Sequence, residues 1–285
     1  MLLERYIYEV LNRMDSTSIS NLARKLNEKR ELLGNIVYDV GGDHFHPHYS
    51  DTNKLDSFIS SCNVNLSEIG TGMLRKAYAI PNSEWVLKIG MGKYGFEANK
   101  GEIEISQGSY GSGARDIFIK IYEYDKAGSE PYWLICEKVV PLSNIDNLDI
   151  LKTSFPTFWN MISEKDRPKI KLSTFKFILD GVFGRVAYRI NQSSGSDSSK
   201  IFYDAINKKC TRLGLRCIDF EEVVLYKDFD RLCSAFAYIS TNDFHMGNFG
   251  LNNIKNPGPE SIVVLDFSVD WKFMQDKKNI YIEKI

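Results

Sequence analysis

The sequence predicts an α+β protein in which a small strand-rich lobe carrying one helix precedes a larger, mainly helical lobe, with a helical extension in front. Three observations carry this expectation. Residues 1–60 place apolar side chains at helical spacing. From about residue 64 the texture changes to short alternating runs of β-branched and aromatic residues, punctuated by Gly and Pro. Residues 140–240 then return to helical periodicity. The 285 residues suffice for two lobes with a substantial core, divided at 1–62, 63–139 and 140–285.

In the extension, Leu2, Leu3, Ile7, Leu11 and Met14 mark a first helix. Ser18 or Ser20 is placed to cap a second, over SISNLARKLNEKRELLGN. GGDHFHPHYSD (41–51) is a turn-rich break. LSEIG, RKAYAI and EWVLKIG read as strands, FEANKGEIEISQ (96–107) as a helix, and DIFIKIYEYD (116–125) and YWLICEKV (132–139) as two further strands joined by a KAGSEP turn. Helices are expected over IDNLDILKTSFPTFWNMI, STFKFILDGVFGRVAYRI, SKIFYDAINKKCTRLGL and EEVVLYKDFDRLCSAFAYIS, with NQSSGSDSS (191–199) as a polar surface loop. NFGL and SIVVLDF flank NNIKNPGPE as a β-hairpin.

Composition narrows the class of partner. Hydrophobic content of 43% and charged content of 26% exclude disorder throughout. A formal net charge of −1 gives no electrostatic case for nucleic acid or an anionic membrane surface as the main partner. Glu4 and Arg5 interrupt any signal-like run, and no window reaches spanning length. The five cysteines lack a CxxC pair, which points to reduced thiols and a cytoplasmic location.

Several residues are candidates for chemistry. Gly70-Thr71-Gly72 between two strands lets backbone amides approach phosphate, and reads equally as a hairpin turn. Arg75 stands where a third glycine would complete GxGxxG. Lys88 lies inside the apolar strand WVLKIG, either meeting an anion or snorkelling from a sheet edge. Glu102 and Glu104 are its candidate carboxylates, and only one of them can face it from a regular helix. In TNDFHMGNFG (241–250), Asp243 and Asn248 follow an apolar helix, and Asp266 ends the apolar run SIVVLDF. Two acids and an amide oxygen suit Mg²⁺, a hard cation that prefers oxygen ligands.

In this order the motifs resemble the protein-kinase-like superfamily. DFHMGN (243–248) resembles the catalytic loop of aminoglycoside and choline-type phosphotransferases and other atypical kinases, and LDFS (265–268) resembles the metal-binding Asp-Phe-Gly segment. VLK (86–88) resembles the strand-lysine motif. NKGEIEI resembles the glutamate helix of atypical bacterial and phage kinases, which favours Glu102, and WLICEKV resembles the strand entering the adenine-binding hinge. The resemblance spans roughly residues 66–270 and implies a bilobal protein-kinase-like fold. It also implies an ATP- and Mg²⁺-dependent kinase acting on a hydroxyl acceptor, on a protein or a small molecule. Gly70, Thr71 and Gly72 would cover the phosphates, Lys88 would bind them, and Glu102 would hold Lys88. The backbone of Glu137, Lys138 and Val139 would meet adenine, Asp243 would act on the acceptor hydroxyl, and Asn248 and Asp266 would hold Mg²⁺.

The pattern has departures. Thr241 replaces the usual loop histidine and Ser268 the glycine of Asp-Phe-Gly. Seventeen residues after Ser268 leave no room for a long activation segment, so the helices of the second lobe must precede the catalytic loop. His245 is assigned to loop support, and His44, His46 and His48 to an irregular polar loop, with transition-metal binding as the other reading. Two other functions use the same residues: a non-catalytic nucleotide- or partner-binding pseudokinase, and nucleotidyl transfer.

Overall fold

Turn residues cut the strand-rich region into five short strands that pair antiparallel in the computed structural model. These are β1 (Ser67–Thr71), β2 (Arg75–Ala79), β3 (Trp85–Gly90), β4 (Ile121–Tyr124) and β5 (Trp133–Glu137), in the order β1-β2-β3-β5-β4. The structure describes residues 18–41, 53–72, 74–107, 116–183, 198–238 and 246–265. The chain divides into two units, Met1–Glu104 with Lys120–Lys138 and Ile105–Ile119 with Val139–Ile285.

In the first unit, helices α1 (18–28), α2 (Arg30–Gly41) and α3 (Asn53–Ser61) precede the sheet, and α4 (Gly92–Ser106) joins β3 to β4. Alternation along the strands gives the sheet two different faces. Tyr78, Leu87, Ile89, Trp133 and Ile135 form one core with Leu22, Leu26, Leu33, Val37, Leu55 and Phe58 of the first three helices. Each such side chain contributes about 1.5–3 kcal/mol by leaving water. The helical extension is thus the cover of one sheet face. Polar contacts fix it there: buried Lys76 meets Asp56 of α3 at 2.8 Å and Glu68 of β1 at 3.0 Å. The Tyr78 hydroxyl donates to Asp56 at 2.9 Å. The opposite face carries Arg75, Ala77, Val86, Lys88, Leu134 and Cys136, as the register of β2, β3 and β5 requires.

In the second unit, β6 (Val140–Pro141), β7 (Phe249–Leu251) and β8 (Ile262–Val264) form an antiparallel sheet in that order. The unit also carries helices α5 (Leu148–Ser154), α6 (Pro156–Met161), α7 (Leu172–Asp180), α8 (Ser198–Arg212) and α9 (Lys227–Tyr238). Asn147 caps α5 by accepting from the Asp149 amide at 2.8 Å. The core is aromatic, with Phe158 on Phe202, Phe202 on Phe236, and Phe236 on Phe249 at centroid distances of 5.6, 5.9 and 5.9 Å. The architecture is mixed α+β, with small antiparallel sheets and several helices.

Several boundaries differ from the sequence expectation. The fourth helix starts at Gly92 rather than 96, and the strand expected over 116–125 is confined to Ile121–Tyr124. The helix expected over 145–162 breaks at Phe155–Pro156, because Pro cannot continue the hydrogen-bond ladder. In EEVVLYKDFD a 3₁₀ turn over Phe220–Glu222 and an extended stretch precede α9. The Thr157 hydroxyl accepts from the Tyr226 amide at 2.8 Å and donates to buried Asp228 at 2.6 Å, which stops the helix from extending backwards. Among the described residues no helix is long and apolar enough to cross a membrane. All five cysteines are free thiols. The expected first helix (2–14), the His44/His46/His48 loop, the 191–197 part of the polar loop, Thr241, Asp243, His245, Asp266 and Ser268 lie outside the described residues.

Candidate functional site

Lys88 is on a central strand, not an edge. It pairs with Ala77 of β2 on one side and Leu134 of β5 on the other, between the fully buried Leu87 and Ile89. Its ammonium lies 3.0 Å from both carboxylate oxygens of Glu102, whose side chain is 0% exposed. Glu104, two residues further along α4, is half-buried and does not share that direction. A buried charge pair of this kind requires close contacts to offset lost hydration.

The helix is brought to the strand by glycine. A Cβ on Gly95 would lie 2.4 Å from the Leu74 carbonyl oxygen and 2.8 Å from Gly90, so backbone meets backbone there. Gly92 begins the helix at φ 65°, the left-handed region. Buried Asn99 then donates to the Pro131 carbonyl at 2.9 Å, tying α4 to the approach to β5. These contacts set the depth at which Glu102 meets the sheet.

Arg75 also reaches this carboxylate. Its Nη1 lies 2.7 Å from Glu102 Oε1, as a charge contact rather than an aligned hydrogen bond. Cys136 shares the same sheet face, and burial pushes its thiol up to about 12, which leaves it protonated beside this cluster. In the sequence Arg75 stands only as the residue where a third glycine would complete GxGxxG. The usable signal was alternation, which puts residues 75, 77 and 79 on one side of β2.

At the glycine turn, the Gly72 amide donates to the Arg75 carbonyl at 2.8 Å. Neither Gly70 nor Gly72 has a positive φ. A Cβ on Gly70 would meet nothing within 4 Å, and one on Gly72 only the Arg75 carbonyl at 3.6 Å. Backbone strain and internal packing therefore do not account for these two glycines. Thr71 between them donates its hydroxyl to Glu68 at 2.7 Å.

At the end of β5, the amides of Glu137 and Lys138, two of the three residues expected from sequence to meet adenine, already have backbone partners. The Glu137 amide donates to the Lys120 carbonyl at 2.9 Å, and the Lys138 amide to the Glu84 carbonyl at 2.6 Å. The Glu137 carboxylate accepts from the Lys120 amide at 2.9 Å. Val139 follows, immediately before β6.

In the second unit, Asn248 ends a 3₁₀ turn directly before β7. Phe249 pairs with Val264, and the Leu265 amide donates to the Asn248 carbonyl at 2.7 Å. The hairpin thus sets Asn248 against Leu265, the residue before Asp266 in sequence. The aromatic stack through Phe249 anchors this end of the hairpin. Among the described residues no group of three His, Cys, Asp or Glu side chains is placed to hold a metal. Asp243 and Asp266 are not among those residues.

No protein-family model, no curated protein and no solved structure matches this chain.

Proposed function

We propose that the chain is an ATP- and Mg²⁺-dependent phosphotransferase of protein-kinase-like, two-lobed fold that moves the γ-phosphate of ATP to a hydroxyl acceptor. The observation that carries this reading is the Lys88–Glu102 pair, with 3.0 Å contacts to both carboxylate oxygens, on the central strand of a β1-β2-β3-β5-β4 sheet, with the glutamate supplied by α4, the helix that follows that strand. A lysine held this way keeps a fixed direction while a second anion, the nucleotide phosphate, shares its donors. The unfilled space at Gly70 and Gly72 suits close approach of phosphate oxygens to backbone amides. With the Glu137 and Lys138 amides already donating to the Lys120 and Glu84 carbonyls, the Val139 amide is the backbone donor assigned to adenine.

The hairpin supports the other half of the reading. Asn248 and Asp266 offer the oxygen ligands that Mg²⁺ prefers, and the bond from the Leu265 amide to the Asn248 carbonyl ties the end of β8 to the start of β7. When bound, Mg²⁺ neutralises charge on the transferring phosphoryl group. Asp243, five residues before Asn248, would accept the proton of the acceptor hydroxyl as that oxygen attacks the γ-phosphorus and the bond from the γ-phosphorus to the β–γ bridging oxygen breaks, releasing ADP.

The test is incubation with γ-labelled and, separately, α-labelled ATP plus Mg²⁺, offering protein lysate and small-molecule alcohols as acceptors. Transfer of γ-label, lost in Asp243→Ala and Asp266→Ala, is the expected result. Nucleotide binding without transfer refutes catalysis in favour of a binding module, and transfer of α-label redirects the reading to nucleotidyl transfer.

A further inference from the structure

Arg75 is the first residue of β2, and its backbone closes the glycine turn by accepting from the Gly72 amide at 2.8 Å. Its side chain is 9% exposed and places Nη1 2.7 Å from Glu102 Oε1, the oxygen that also lies 3.0 Å from Lys88. Across the sheet Arg75 pairs with Gly90, the residue against which Gly95 of α4 is pressed. The glycine turn, the helix and the lysine strand therefore meet at one carboxylate.

We propose that Arg75 is a positioning residue of the phosphotransfer site: it pins Glu102 independently of Lys88, so that the lysine–glutamate pair stands assembled without an activating modification or partner. This rests on the phosphotransferase reading. A carboxylate offers about four lone-pair sites, enough for both cations at once. When nucleotide phosphates draw on the three donors of Lys88, a glutamate held by that lysine alone would lose its anchor. With Arg75 on Oε1 the carboxylate stays, and α4 stays with it. Arginine suits the role because its charge never titrates and its planar head keeps a fixed direction.

The test compares Arg75→Met, which keeps the buried stem without the charge, with Arg75→Lys, which restores a cation. Three quantities are measured: affinity for Mg²⁺-ATP by titration calorimetry, kcat, and amide hydrogen exchange across residues 92–106. In Arg75→Met, kcat is expected to fall about 100-fold through misplacement of the reacting groups. Nucleotide Kd should stay within roughly threefold, because ground-state binding is retained. Exchange over 92–106 should accelerate, and Arg75→Lys should recover most of both losses. Wild-type kcat and wild-type protection in Arg75→Met would overturn the inference while leaving the phosphotransferase reading intact. A loss in Kd equal to that in kcat and not recovered by lysine would overturn it as well, by showing a merely structural role. A wild-type protein that neither binds nor turns over ATP defeats the parent reading instead. Should Arg75→Met fail to fold, Arg75→Gln carries the same comparison.

Discussion

Gly95→Ala should destabilise the protein, against the usual effect of that change in a helix. At an exposed helix interior, replacing Gly by Ala stabilises by about 1 kcal/mol. Here the new methyl would sit 2.4 Å from the Leu74 carbonyl oxygen and 2.8 Å from Gly90. Restoring an ordinary contact near ~3.5 Å requires α4 to retreat by about 1 Å. Overpacking of this kind costs about 1–3 kcal/mol. The retreat also strains the 2.8 Å bond from the Met91 amide to the same Leu74 carbonyl. Losing that bond costs about 1 kcal/mol, which cancels the helix gain and leaves a net loss of about 1–3 kcal/mol. Because Glu102 lies about two turns further along the same helix, the shift should also stretch its 3.0 Å contacts to Lys88. Urea denaturation followed by far-UV circular dichroism reads the first effect, and nucleotide titration the second. A Gly95→Ala protein as stable as wild type, or more so, would refute the close-packing argument.

Two other perturbations separate packing from function and fix a charge state. Gly70→Ala adds a methyl with nothing within 4 Å, so stability should stay within about 0.5 kcal/mol of wild type while affinity for Mg²⁺-ATP falls; unchanged affinity would remove the glycine turn from the site. Burial raises the Asp228 carboxyl from 3.8 to about 6, despite the hydrogen bonds it accepts from Thr157. Between those values the folded state keeps a proton that the unfolded state has released. The contribution of this group is therefore fully present below about pH 4 and falls as pH rises through 6, by about 3 kcal/mol in all. The stability difference between wild type and Asp228→Asn, from urea melts at pH 4.5 and 7.5, should show that slope, and a pH-independent difference would refute it.

The five short strands, with Lys88 inside the third, were legible because turn residues and alternation are local signals, whereas the strand order and the central place of Lys88 come from the fold. Gly-Thr-Gly, Pro-Asn-Ser and KAGSEP stand between the strands, and WVLKIG carries its lysine among apolar neighbours. The start of α4 was misread because Gly92 and Gly95 depress helix propensity, while their value lies in contact with a strand that local sequence does not show. The first residues of α9 were misread for a similar reason. Thr157, some seventy positions away, takes the Tyr226 amide out of the helical ladder. Arg75 was visible only as an absent glycine, since its partner Glu102 is on another element and their meeting depends on the β2–β3 register. Local pattern carries residue type and face, and the nonlocal partner has to come from the fold.

Net stability does not account for three charges gathered on one buried carboxylate, and a triple variant can show it. Arg75, Lys88 and Glu102 have side chains 9, 13 and 0% exposed, so each gave up most of its hydration. In such a triad the desolvation penalty rivals the Coulomb gain, and well-packed apolar replacements are commonly neutral or stabilising by about 1–4 kcal/mol. Removing one member is different. Glu102→Leu alone takes away the anion that both cations touch, and should cost about 3–5 kcal/mol. The combined Arg75→Met, Lys88→Met, Glu102→Leu protein should therefore melt at or above the wild-type temperature, well above Glu102→Leu, and should no longer bind Mg²⁺-ATP. Thermal melts of the three proteins, with calorimetric nucleotide titration at 25 °C, read both effects. If the triple variant melts as low as Glu102→Leu, the triad is a structural staple and the argument from its charge to phosphate handling fails. If it keeps its stability and loses the nucleotide, the three charges are held against their own hydration by what they do to a ligand.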